Sequence, residues 1–161
     1  MANIPNPYKD IYDALVLALK SIKTPDYLIT LPPSHFYENH DAASLNLSDA
    51  KTYPKIFLVS GDAIPVEQVG SRKKTKMTLY LTGVVLQSPP NTPGGTTEKP
   101  QDQVHTMAFE IEKMCSRNYT LGGLTQNLSV TSVSFDSGFA HPEGLVIIEL
   151  TTEFFRSFVN L

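Results

Sequence analysis

The stretch from Thr75 to Gln87 most constrains the fold. In an extended chain, Met77, Leu79, Leu81, Gly83 and Val85 fall on one face, and Thr78, Tyr80, Thr82 and Val84 on the other. That two-residue alternation belongs to a strand with one face turned to a core and the other half covered, as in antiparallel sheets. Such a strand needs partner strands beside it and an apolar layer over its inward face. The rest of the sequence is read for what supplies them.

Further strands are predicted on both sides. Tyr53-Pro54 leads into Lys55–Ser60, bounded by Gly61-Asp62. Leu128 to Asp136 sets Leu128, Val130 and Ser132 against Ser129, Thr131 and Val133, with Phe135 extending the apolar face. After a turn through Ser137-Gly138 and His141-Pro142-Glu143-Gly144, a last strand runs from about Leu145 to Phe155. Tyr27-Leu28-Ile29-Thr30-Leu31 reads as one more short strand, closed by Pro32-Pro33. From Ser34 to Thr52 no period is sustained, which predicts a surface arm or loop.

Two amphipathic helices supply the covering layer. From Pro7 to Ile22, the residues Tyr8, Ile11, Tyr12, Leu15, Leu19 and Ile22 recur at three- and four-residue steps and so share a face. Asn6 is placed to cap this helix, Pro7 to open it, and Thr24-Pro25 to end it. The second runs from about Pro100 to Arg117 on Val104, Met107, Ala108, Ile111, Met114 and Cys115, and Leu121-Gly122-Gly123 stops it. The expected fold is α+β: an antiparallel sheet of about four strands with two helices packed on one face. It forms a single domain over residues 1–161, with an irregular excursion at about 32–52. At 161 residues such a domain buries roughly 70% of its unfolded surface, enough for a core without disulfides or structural metal.

Composition excludes several classes. A net charge of -3 gives no global basic field to draw the chain onto nucleic acid or anionic membrane. The single cysteine rules out an internal disulfide and fits a reducing compartment. Met1-Ala2-Asn3-Ile4-Pro5 does not begin a signal peptide, and apolar runs such as Leu15–Leu19 and Leu145–Ile148 are far too short to span a bilayer. A soluble protein is expected, staying where it is made or in a particle assembled there.

No catalytic constellation emerges. His35, Glu38, His40 and Asp41 lie close in sequence, but their spacing in an irregular loop matches no strong metal motif. His105 stands near the start of the second helix beside Asp102, and His141 precedes a proline in a turn. Cys115 sits on the apolar stripe of its helix, as a small core residue does more often than a nucleophile. There is no Gly-x-Ser-x-Gly elbow and no phosphate-cradling Gly-x-x-x-x-Gly-Lys loop. Glu110 and Glu112 are expected on the polar side of the second helix, and Glu149 and Glu153 are expected to point outward from the last strand. Neither pair is poised for acid–base work. No cofactor, metal or catalytic residue is expected.

The charge feature to weigh is Arg72, Lys73, Lys74 and Lys76, closing a segment from Ala63 to Lys74 long enough for a projecting loop or hairpin tip. Solvated lysines that protect a strand edge are the plain reading; a contact to a neighbouring subunit and a touch on DNA are the sharper ones. Ser88 to Thr97, rich in proline and glycine, is a second expected loop.

The order of these segments resembles the phage tail terminator and minor tail protein family. The likeness runs from Tyr8 to Phe155. It comprises the N-terminal helix, the strand Tyr53-Pro54-Lys55-Ile56-Phe57-Leu58-Val59 and the long strand ending Leu81-Thr82-Gly83-Val84-Val85. It continues with the helix stopping at Tyr119-Thr120-Leu121-Gly122-Gly123-Leu124, the segment Val130–Asp136, and the closing strand from Pro142-Glu143-Gly144-Leu145. The excursion between Tyr27 and Tyr53 is longer than that pattern needs.

The resemblance implies a virion structural protein without catalytic activity. It would form a six-fold ring that caps the tail tube, stops its polymerisation and offers the joint to the head. Its implied partners are itself, the tail tube protein and a neck or head-completion protein. DNA would only pass through the lumen, and no membrane is involved. Its location would be the neck region of the tail, after assembly in the host cytoplasm. The resemblance also places Arg72, Lys73, Lys74 and Lys76, with the Ser88–Thr97 loop, toward neighbouring rings or the lumen. A neck connector protein, a small metal-dependent hydrolase using the His35–Asp41 region, and a monomeric ligand-binding module are the alternatives that the sequence leaves open.

Overall fold

The structure, a computed structural model, describes residues 6–38, 50–136 and 142–157. Helix α1 (Pro7–Lys20) starts as the sequence predicts, with Asn6 Oδ1 accepting from the Lys9 N–H at 3.2 Å and proline in the first turn. It stops two residues before the expected Ile22, where the Ser21 N–H turns back to the Ala18 and Leu19 carbonyls. Helix α2 (Pro100–Arg117) has the expected bounds.

Five strands follow in chain order: β1 (Phe36–Glu38), β2 (Lys55–Val69), β3 (Arg72–Leu86), β4 (Asn127–Phe135) and β5 (Glu143–Ser157). They form one sheet in the order β1-β2-β3-β5-β4. All neighbouring pairs are antiparallel except β1 and β2, where Phe36, Tyr37 and Glu38 run parallel to Ile56, Phe57 and Leu58. The α+β class is therefore as expected, but the sheet has five strands rather than about four, and it is mixed. The additional strand lies where only an irregular excursion was foreseen, and three residues are too few to show a period.

One other expectation is corrected and one is resolved. Tyr27–Leu31 is not a strand. Its backbone donors are taken locally and by α2: Leu28 N–H goes to Glu110 Oε2 at 2.9 Å and Leu31 N–H to the Ile22 carbonyl at 2.9 Å. Tyr27 and Leu31 are buried as anchors of a bent segment. The span Ala63–Lys74, expected as a projecting loop or a hairpin tip, is the hairpin. It is the far half of a β2–β3 hairpin whose only turn is Gly70-Ser71, with Gly70 at φ 61°, the positive value that tight two-residue hairpins need. Its charged and proline-containing sequence hid the strand pattern.

One face of the sheet carries the core. Ile56 and Leu58 of β2, Met77, Leu79, Leu81 and Val85 of β3, Leu128 of β4, and Val146, Ile148, Leu150 and Phe154 of β5 pack with both helices. From α1 come Ile11, Leu15 and Leu19; from α2 come Val104, Met107, Ile111, Met114 and Cys115. Gly83 lets α2 approach: a β-carbon there would stand well under 3.0 Å from Met107 Sδ. Glu110, expected on the polar side of α2, is fully buried, because it holds the Leu28 backbone rather than facing water.

Candidate functional site

The register places every even-numbered residue of β3 on the face that neither α1 nor α2 covers. Across the strands this gives the rows Phe57–Thr82–Ile147–Ser134 and Val59–Tyr80–Glu149–Ser132, then Thr78–Thr151–Ser129. The surface is flat, rich in hydroxyls and studded with apolar groups. Val59 is 53% exposed, Tyr80 and Ile147 are each 41% exposed, and Tyr37 of β1 stacks on Phe57 with ring centroids 5.4 Å apart. At one end Tyr53 Oη donates to Glu143 Oε1 at 2.6 Å, and burial first, then that carboxylate, raises the phenol pKa. Lys55 is buried beside it, its ammonium 4.3 Å from the Tyr53 ring centroid.

At the other end the sheet runs out into the β2–β3 hairpin. β2 is exposed at every residue from Val59 to Val69, on both faces. Ile64, Val66 and Val69 are 58%, 52% and 54% exposed, far more apolar surface than a solvated ribbon requires.

The four basic residues do not form one patch. Arg72, Lys74 and Lys76 share the open face with Val69, Glu67 and Ile64 as cross-strand partners, whereas Lys73 points to the opposite face. Lys74 Nζ lies 2.8 Å from Glu153 Oε2 on β5, and this hydrogen bond leads the effects that raise the Lys74 pKa. With Glu67 also nearby, the charges here alternate in sign, an arrangement better suited to a protein surface than to a run of phosphates.

The expected loop at Ser88–Thr97 folds back on itself. Ser88 is buried, its N–H donates to the Thr96 carbonyl at 2.6 Å, and Gln87 Nε2 donates to the Thr97 carbonyl at 3.1 Å. Between α2, the Tyr27–Leu31 segment and β3 lies a cavity of about 240 Å³ on Ile29, Pro54, Val85 and Met107, edged by Glu98 and Gln103.

Of the histidines, His35 Nδ1 is 3.1 Å from the Pro54 carbonyl, and His105 meets the Phe135 ring edge-on at 4.7 Å. His40, Asp41 and His141 lie outside the described residues, as does the side chain of Glu38. Among the described residues no cluster of three or more His, Cys, Asp or Glu is placed to hold a metal. Cys115 is buried, and burial pushes its thiol up to about 12. Among the described residues no helix is long and apolar enough to cross a membrane.

The sequence reading missed the apolar content of the open face and of the far half of β2. The available signal was in Tyr80 and Val84, apolar residues on the face opposite Leu79 and Leu81. No protein-family model matches the sequence, and no curated protein does.

Proposed function

We propose that the protein is a structural subunit that assembles head-to-tail into a closed ring, as a phage tail terminator capping the tail tube and providing the joint to the head. One observation carries the assembly reading. A long hairpin leaves the helix-covered core with Ile64, Val66 and Val69 more than half exposed, continuous with an open sheet face bearing Val59, Tyr80 and Ile147. Exposed apolar surface of this extent marks contact with other chains. Two dissimilar surfaces on one subunit, related by a rotation that closes, give a ring. The order of helix, long strands, helix and closing hairpin supports the tail terminator as the kind of ring, with tail tube and neck proteins as its partners.

Light scattering on a sizing column across a concentration series, with electron micrographs of the peak, tests this. The expected result is a six-fold particle with a central hole, alone or on addition of tail tubes. A strict monomer at every concentration that also leaves added tubes unchanged would overturn it.

A further inference from the structure

We infer that neighbouring subunits join edge to edge, the free edge of β4 in one copy pairing antiparallel with the free edge of β2, from Val59 to Ile64, in the next. The inference rests on the head-to-tail assembly proposed above and names its contact. Three observations on the fold converge on it.

β4 is an outer strand of 9 residues, Asn127 to Phe135, and among the described residues no strand pairs with its far side. Edge strands are normally blunted by lysine, by proline or by covering segments. Asn-Leu-Ser-Val-Thr-Ser-Val-Ser-Phe contains no charge and no proline, and among the described residues its protection is a bulge at Thr131. Such a strand is a template for another chain.

The opposite side of the sheet offers a matching edge. Among the described residues β1 covers β2 over Ile56 to Leu58, and Tyr12 Oη donates to the Leu58 carbonyl at 3.0 Å. From Val59 onward, among the described residues, no strand pairs with the outer side of β2. The stretch carries a shift of register between Ser60 and Ala63, and it ends at Pro65, which has no N–H to donate and sits beside a second shift.

Direction is the third argument. β3 runs against β2, β5 against β3, and β4 against β5. β4 therefore runs opposite to β2. Copies related by rotation about an axis lying along the strands keep their strand directions, so β4 of one meets β2 of the next antiparallel, the better-aligned pairing. Two copies of the same edge would need a two-fold axis instead, which makes a pair and no ring.

Single-cysteine chains in a Cys115→Ala background test the contact. Val59→Cys or Ile64→Cys on β2 is mixed with Ser129→Cys, Ser132→Cys or Ser134→Cys on β4, all on the open face, and oxidised under conditions where scattering shows assembly. A disulfide needs the two Cα atoms within about 7 Å. At least one β2/β4 mixture is expected to give a covalent dimer on a non-reducing gel, with mixtures of β2 chains alone or β4 chains alone remaining uncrosslinked. Assembly that persists with no β2–β4 disulfide, or with β4–β4 disulfides only, overturns the contact and leaves the ring standing. Absence of assembly in every background, the unsubstituted chain and tube-loaded samples included, overturns both.

Discussion

Replacing Gly83 with alanine sets two effects of known sign against each other. In the interior of a strand, alanine is favoured over glycine by roughly 0.5–1 kcal/mol on backbone entropy. Packing opposes it. The new β-carbon would lie well under 3.0 Å from Met107 Sδ and at 3.0 Å from Val146 Cγ1. Met107 is 1% exposed and Val146 0%, so neither can swing into solvent. Overpacking of this kind costs about 1–3 kcal/mol, which matches or outweighs the backbone gain and leaves Gly83→Ala less stable by up to about 2.5 kcal/mol. Met107→Ala alone removes a buried side chain and costs about 2–5 kcal/mol. In the double variant the alanine methyl at 83 enters the space that Met107 vacates. Its cost is therefore expected to fall short of the sum by at least about 1 kcal/mol, within the range for residues in contact. Urea unfolding followed by far-ultraviolet circular dichroism measures all four proteins. Additivity within about 0.5 kcal/mol, or a Gly83→Ala protein more stable than the parent, would refute the claim that Gly83 exists to admit α2.

Three further outcomes are expected. Glu110→Ala leaves the Leu28 N–H without its acceptor and should cost about 1–3 kcal/mol, whereas Glu110→Gln keeps an acceptor and should cost clearly less; equal urea midpoints for the two would refute the capping role. Cys115, raised from 9.0 to about 12 mainly by burial, favours its protonated form in the folded state. Its contribution to stability is complete below pH about 9.0 and is lost as pH rises towards about 12, so the Cys115→Ala protein should lose less stability than the parent between pH 9 and pH 11 in guanidinium titrations. Tyr8→Ala removes an edge-on contact to Phe154 at 5.6 Å and a hydrogen bond from Arg156, so amide exchange along Lys74–Lys76 and Phe154–Arg156 should quicken while Ile56–Leu58 stay protected; uniform quickening across the sheet would count against a local effect.

The two helices and the long strands were readable because their signals are periodic and long. Val104, Met107, Ile111 and Met114 recur over about three turns, and the bounds Pro100 and Arg117 follow from a proline start and a glycine stop. Three features escaped for separate physical reasons. β1 spans three residues, below the length at which alternation has meaning. The far half of β2 has no buried face, so nothing in Asp62-Ala63-Ile64-Pro65-Val66-Glu67 alternates, and its strand is imposed by β3. Glu110 occupies a position that periodicity gives to neither face cleanly, and only the tertiary path of Leu28 makes its burial tolerable. The basic run was visible as sequence, but its division between faces depends on register. Lys73 separates from Arg72, Lys74 and Lys76 only once Val69 is paired with Arg72.

The projecting end of the sheet is stiffer than a bare hairpin would be, and that bears on assembly. An isolated two-stranded ribbon is marginally stable in water. Here β3 is paired on its other side with β5 over the same residues, from Arg72 opposite Ser157 to Lys76 opposite Glu153, so the projection is three strands wide up to its turn. The first turn of α1 then closes its inner face: Tyr8 meets Phe154 edge-on, Arg156 donates to Tyr8 Oη, and Thr75 is wholly buried beneath. A surface held in place before contact loses little conformational entropy on docking, and each half-exposed valine or isoleucine it presents can add of order 1 kcal/mol when covered. The same residues in a floppy loop would spend most of that gain on ordering. The architecture therefore concentrates stiffness where the apolar surface is most exposed, the arrangement expected of a subunit whose work is to fit a neighbour.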